Sequence, residues 1–314
     1  MKKYFHKKKR GALQISFGLL FAIIVGAVIL FIAILATTKF VNTERTSQDA
    51  KTSAEIGNLI NPLETGFEEG KTVSITMPVE TRIYAKCVDD QGVFGKQQIR
   101  VSQKSFNTWS DTNMDVSFEN KYIFAEDYVE GETFYLFSKP FEFPFKVTDL
   151  IYITSSEDNY CFTGAPREVE DELEDLNQGN FFVDDCPSSN YIKVCFSGSS
   201  CDIYVNYNSG YVSKDDEKFY FENDALMYAA IFSSKDVYEC QIQRLMNRVQ
   251  ELALIYADKE NSLNTLGCGG NLRSNLIQFI SMVEDVEDSS DLGSLSESIQ
   301  TMIYENKYAE CKLW

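Results

Sequence analysis

The sequence predicts an α+β fold, with a long N-terminal membrane and stalk helix followed by a β-rich ectodomain that has a helical C-terminal part. Three observations predict it. The chain has no charged side chain from Gly11 to Thr38, it alternates apolar and polar residues after residue 72, and it repeats apolar residues at helical spacing near its end. The expected segments are a cytoplasmic basic leader (1–11), a transmembrane helix (12–38), an amphipathic stalk (39–62), the β-rich ectodomain (63–232) and its helical part (233–314).

The N-terminal apolar run is long enough to cross a membrane. A helix from Gly11 to Thr38 would be about 42 Å long, against about 30 Å for the hydrocarbon core of a bilayer. A secretory signal has a shorter apolar region and a small-residue cleavage site, which only Ile34–Ala36 resembles here. We therefore expect a retained single-pass helix whose partner is the membrane lipid bilayer. The basic residues before it predict a cytoplasmic N-terminus and an extracellular ectodomain: Lys2, Lys3, Lys7, Lys8, Lys9 and Arg10.

The rest of the chain is strongly acidic. Removing those six residues from 29 Lys and Arg leaves 23, against 47 Asp and Glu, so the remainder carries a charge of about −24. A protein of this charge is repelled by phosphate backbones and by anionic membrane surfaces. No nucleic-acid partner is therefore expected.

The apolar helix is expected to continue into the stalk. No Gly or Pro interrupts the sequence after the apolar run until Gly57, and Asn61-Pro62 should end any helix because the residue before proline avoids the α region. One helix from about Ala12 to about Leu59 is the favoured interpretation. A membrane helix followed by a separate linker is the alternative.

Strands are expected from residue 72 onward. Val73, Ile75 and Met77 alternate with polar residues, and Pro78 is expected to end that strand. Val129–Glu132 is expected to be a hairpin turn between strands at YIFAEDY and TFYLFS. Further strands are expected at TRIYAKCV, KQQIRVS, MDVSFENKYIF, FEFPFKV, DLIYITS, YIKVCF, CDIYVNYNSGYVS and EKFYFEND, with a short acidic helix in PREVEDELEDLNQGN (166–180).

The last third is expected to be helical. Apolar residues from Tyr238 to Tyr256 recur on one face of a long amphipathic helix, which NTLGCGGN (264–271) should end. A second apolar face begins at Leu272. The pattern Ser294-x-x-Glu297 is that of a capping box and predicts the start of a third helix.

Eight cysteines follow the membrane segment and predict disulfides. Their number is even and the domain that carries them is expected to be exported, although 105 connectivities are possible. Cys195 and Cys201 bracket only five residues and are the easiest pair to predict. A zinc site is not expected because the chain has no C-x-x-C and its one histidine, His6, precedes the membrane segment. The predicted disulfide residues are Cys87, Cys161, Cys186, Cys195, Cys201, Cys240, Cys268 and Cys311.

The sequence predicts no catalytic, cofactor-binding or metal-binding residue. Without a histidine beyond His6, the ectodomain lacks the parts of a Ser-His-Asp or Cys-His mechanism. Calcium is the one cofactor for which the sequence offers candidate ligands, because VEDVEDSSDLG (283–293) concentrates oxygen ligands. Asp285 would begin such a loop, but its sixth position is Ser290 instead of the usual Gly.

The N-terminus resembles that of a known family. KKKRG followed directly by ALQISFGLLFAIIVGAVILFIAIL is similar to the start of archaeal type IV pilin-like proteins. The resemblance implies a prepilin-type peptidase as a partner, which would cut between Gly11 and Ala12 or, by the Gln-x-Ser type of signal, just before Gln14. The rest of the chain resembles uncharacterised archaeal membrane-anchored surface proteins.

In the pilin family, the apolar half of the helix packs in the filament and the amphipathic half packs on the β-sheet of the head. The resemblance implies the same division for residues 12 to about 60. This chain departs from the family at the fifth mature position, which usually holds Glu. Ser16 or Gly18 stands there, depending on the cut.

Small residues on the membrane helix predict a helix–helix contact. Gly18, Ala22 and Gly26 lie four residues apart, so they share one face and would let another copy of the helix approach in a homo-oligomer. The alternative is that Gly and Ala are simply common in such helices. The favoured function is a structural or interaction protein at the cell surface, such as a filament or pseudopilin subunit. The alternatives are a membrane-anchored adhesin or receptor that does not polymerise and a surface hydrolase that uses carboxylates.

Overall fold

A computed structural model describes residues 17–59, 72–89, 93–105, 107–110, 115–198, 200–268, 270 and 272–314. The chain forms two compact units, one up to Ser47 and one from Gln48 to Trp314. Gly11 and Ala12, the predicted processing residues, lie outside the described residues.

The first element is one unbroken helix, α1, from Phe17 to Leu59. Its part from Phe17 to Val41 is long enough to cross a membrane, and the most apolar 18 residues within it have a mean hydropathy of 3.2. A helix of this length and composition near an N-terminus suits a membrane anchor or a signal sequence. The predicted continuous helix agrees with the structure over these residues, and Pro62, which was expected to end it, lies outside the described part.

A seven-stranded, mostly antiparallel sheet follows, in the order β3-β2-β1-β6-β7-β5 with β4 also beside β2. β5 pairs with β7 in the parallel direction. The strands are β1 (Val73–Val88), β2 (Lys96–Ser105), β3 (Thr108–Trp109), β4 (Val116–Phe118), β5 (Ile123–Phe124), β6 (Val129–Glu142) and β7 (Lys146–Ser155).

Two predictions in this sheet are wrong. Pro78 does not end β1, which continues to Val88 with an irregularity between Thr76 and Thr81. Proline is tolerated there because β2 pairs with β1 only from Thr81 onward, which leaves this stretch at an edge of the described sheet. Val129–Glu132 is not a turn but the start of β6, where the acidic side chains of Glu130 and Glu132 alternate with inward positions.

A second sheet has six strands in the order β13-β12-β11-β10-β8-β9. Its strands β9, β8, β10 and β11 are parallel to one another, and β12 and β13 are antiparallel. The strands are β8 (Tyr160–Thr163), β9 (Phe181–Val183), β10 (Ile192–Cys195), β11 (Ile203–Asn206), β12 (Tyr211–Lys214) and β13 (Glu217–Tyr220).

The remaining helices are α2 (Arg167–Leu176), α3 (Asp224–Phe232), α4 (Lys235–Thr265), α5 (Leu272–Glu284) and α6 (Ser296–Tyr308), with a 3₁₀ helix at Ser289–Leu295. α2, α4, α5 and α6 match the predicted helices. The predicted capping box at Ser294 and Glu297 is wrong, because the Ser294 hydroxyl donates to the Asp291 carbonyl at 2.7 Å. The capping box is formed instead by Asp288 and Asp291, and it opens the 3₁₀ helix.

Two hydrophobic cores lie on opposite faces of the seven-stranded sheet. The larger one joins this sheet to the six-stranded sheet and to α3, α4, α5 and α6, and it takes Leu150 and Tyr152 from β7. The smaller one takes the alternating residues Ile151 and Ile153, and it includes Ile56 from the end of α1. The end of α1 is therefore part of the core of the second unit.

Candidate functional site

All eight cysteines are paired in four disulfides: Cys87–Cys240, Cys161–Cys186, Cys195–Cys201 and Cys268–Cys311. The Cα atoms of each pair lie 5.4 to 6.0 Å apart, within the range that a disulfide requires. The Cys195–Cys201 pair is the one that the short spacing predicts. Four disulfides and no free cysteine among these eight residues indicate an oxidising, extracellular environment.

Two of the disulfides fasten the C-terminal helices. Cys87 lies in β1 and Cys240 in α4, so this bond joins residues 153 positions apart. Cys268 follows α4 and Cys311 follows α6. The helical part is thus attached covalently to the first strand and to its own C-terminal segment.

The predicted helix-contact residues lie on the exposed surface of α1. Gly18 and Ala22 are exposed, and Gly26 is partly exposed. A Cβ atom at either glycine would meet nothing within 4 Å. The face that they form is therefore accessible to another helix.

A cavity of about 790 Å³ in the second unit is lined almost entirely by acidic side chains. Three separate segments form it. They are the middle of β1, the loop before β6 with the first residues of that strand, and the turn between β7 and β8. The lining residues are Glu80, Glu126, Asp127, Tyr128, Glu130, Gly131, Glu132, Glu157 and Asp158.

A buried asparagine fixes the turn that forms one wall of this cavity. Asn180 Nδ2 donates to the carbonyl oxygens of Ser155 at 3.1 Å and of Asp158 at 3.0 Å. The Ser155 hydroxyl in turn donates to the Glu130 carbonyl at 2.5 Å, which ties the turn to β6. These hydrogen bonds hold the carboxylates of the β7–β8 turn close to those at the start of β6.

Cations neutralise part of the acidic lining. Lys104 Nζ lies 2.7 Å from Glu80, Arg82 Nε lies 2.5 Å from Glu130, and Lys214 Nζ lies 2.9 Å from Glu126. The guanidinium of Arg82 also lies over two aromatic rings, 4.1 Å from the centroid of Trp109 and 4.9 Å from that of Tyr128. These contacts place basic and aromatic groups next to the acidic lining.

Two carboxyl groups of the cavity have pKa values shifted in opposite directions. A hydrogen bond from Lys104 lowers the pKa of Glu80. Burial raises the pKa of Asp158, and the charges of Glu126 and Glu157 raise it further. Each pKa shift thus has its own structural cause. Because most of its lining side chains are acidic, the cavity attracts cations and repels anions.

The predicted calcium-ligand segment, residues 283–293, contains the N-terminal cap of the 3₁₀ helix. The Asp288 side chain accepts from the backbone N–H of Ser290 at 2.7 Å, and the Asp291 side chain accepts from that of Glu287 at 3.0 Å. The Ser289 hydroxyl donates to Glu239 at 2.7 Å. Within the described ranges, no three His, Cys, Asp or Glu side chains are grouped to hold a metal ion.

The acidic cavity was not predicted from the sequence. Its carboxylates occur as short acidic pairs at turns and strand starts, and these look like ordinary solvent-exposed residues. Only the pairing of β1 with β6, which sets Thr81 opposite Gly131, brings Glu80 to the segment that carries Glu130 and Glu132. A register of this kind is not encoded in any local motif.

Comparison of the chain with protein-family models, with curated proteins and with solved structures finds no match.

Proposed function

We propose that this protein is a single-pass, pilin-like structural or interaction protein of the cell surface, anchored by α1 with its disulfide-braced head outside. The observation that carries the proposal is α1 itself. It is one continuous helix whose apolar part, Phe17–Val41, could span a membrane and whose last residues enter the core of the head.

The end of α1 buries one face in the head. Asp49, Ser53, Ile56 and Gly57 are buried, and their spacing of i, i+4, i+7 and i+8 places them on one side of the helix. A Cβ atom at Gly57 would lie 2.0 Å from the ring of Phe118. The helix backbone therefore packs directly on this ring. This close contact suits a helix whose end is fixed on the sheet and does not suit a flexible linker.

Self-association through the membrane helix is the part of the proposal that one experiment tests best. Ala22→Leu should block close packing of two helices while it keeps the helix apolar. Ala27→Leu is the matched control, because the same substitution then lies about 140° around the helix. The full chain is expressed in membranes, and its oligomers are trapped with an amine-reactive crosslinker.

We expect Ala22→Leu and Gly26→Leu to lower the oligomer yield several-fold and Ala27→Leu to leave it unchanged. Equal yields in all three variants would rule out this face as the contact. N-terminal sequencing of the mature protein from its native membrane tests processing separately. An intact Met1 would contradict pilin-type processing and would leave an uncleaved signal anchor as the interpretation.

A membrane-anchored adhesin or receptor that does not polymerise is the second candidate. The observation that favours it is that the unit from Gln48 to Trp314 holds both sheets, both cores and all four disulfides. Such a head can function as a single copy. A full chain that remains monomeric in native membranes, with its oligomer yield independent of Ala22, would favour this candidate.

A further inference from the structure

We draw no further inference here: the strongest candidate, the acidic cavity between β1, the β5–β6 loop and the β7–β8 turn, carries nothing because it is a cluster of carboxylates and no second observation among the described residues points to a ligand.

Discussion

Single residues in the head show how charge is accommodated when burial opposes it. Arg244 is fully buried, and its guanidinium has only neutral acceptors among its hydrogen-bond partners. It donates to the carbonyls of Phe94, Glu119 and Lys121 and to the side chain of Gln241, at 2.8 to 3.1 Å. Burial lowers its pKa to about 10, so it stays protonated at neutral pH. One side chain of α4 thus fixes two irregular segments beside the first sheet, one before β2 and one between β4 and β5.

The charge of Asp158 is stabilised less well than that of Arg244. It forms no salt bridge within the part of the chain that the structure describes, and burial together with Glu126 and Glu157 raises its pKa. The native state therefore holds this proton more tightly than the unfolded chain does. Because the folded protein binds more protons in that range of pH, the contribution of Asp158 to stability falls as the pH rises from the unfolded to the folded pKa.

We predict that Asp158→Asn stabilises the head at pH 7. The substitution removes a partly buried negative charge from a group of like charges, and we expect a gain of less than about 1 kcal/mol in the free energy of unfolding. The gain should vanish below pH 3.8, the ordinary pKa of the group, because Asp158 is then protonated in both states. Urea unfolding at several pH values measures this.

Glu132→Gln is the matched control for that experiment. Glu132 lines the same cavity but is exposed, so its removal should change stability less. A gain from Asp158→Asn that is the same at pH 3 and at pH 7 would contradict the electrostatic explanation.

At the scale of elements, Gly57 determines how α1 packs on the sheet. In an exposed helix, Gly→Ala stabilises by about 1 kcal/mol. Here the added methyl group would meet the ring of Phe118 at 2.0 Å. We therefore predict the opposite sign, a loss of about 1–3 kcal/mol for Gly57→Ala, measured by thermal or urea unfolding of the head.

A double-mutant cycle separates this clash from other effects. Phe118→Leu removes the ring atoms nearest to Gly57, so Gly57→Ala should cost much less in the Phe118→Leu background. Additive losses would show that the two residues do not meet as described.

The four disulfides should differ in what they contribute. Loop-closure entropy in the unfolded chain predicts about 5 kcal/mol for a bond between residues 153 positions apart and about 2 kcal/mol for one between residues 6 apart. We therefore expect the paired variant Cys87→Ser/Cys240→Ser to unfold at a much lower urea concentration than Cys195→Ser/Cys201→Ser. Equal losses would mean that native packing, not chain connectivity, decides the contribution of each bond.

Most helices that the sequence predicted have one exposed and one buried face, whereas the strand β7 was predicted although nearly all of its residues are buried. α2, α4 and α5 show this periodicity, and α1 shows an unbroken apolar run before its sparse amphipathic end. α3 was missed because all its residues from Ala225 to Phe232 are buried, which leaves no period to detect. The acidic cavity was missed for a related reason, since its segments are brought together by strand pairing between residues about 50 positions apart.

At the scale of the whole molecule, the division between the two units falls inside a helix. α1 continues through Ser47 and Gln48, where the units are separated. The part of the helix after this point contributes Ile56 to the smaller core. The sequence of the head therefore begins before the end of α1, and removing the whole helix would remove part of the core.

This division predicts how the chain can be truncated. A fragment of residues 48–314 should be a soluble, cooperatively unfolding protein when its disulfides are formed, because it keeps Ser53, Ile56 and Gly57 on the sheet. A fragment of residues 60–314 should expose the apolar face that includes Ile83, Ile99 and Phe134. The loss of Ile56 burial alone is worth about 1.5–3 kcal/mol. We expect the shorter fragment to melt several degrees lower, to bind a hydrophobic dye and to aggregate on gel filtration.

Ile56→Ala in the longer fragment is the control that links this difference to packing. It should fall between the two fragments, with a loss of about 2–5 kcal/mol from the cavity that it creates. If residues 60–314 instead form a monomer as stable as residues 48–314, the end of α1 is not part of the core.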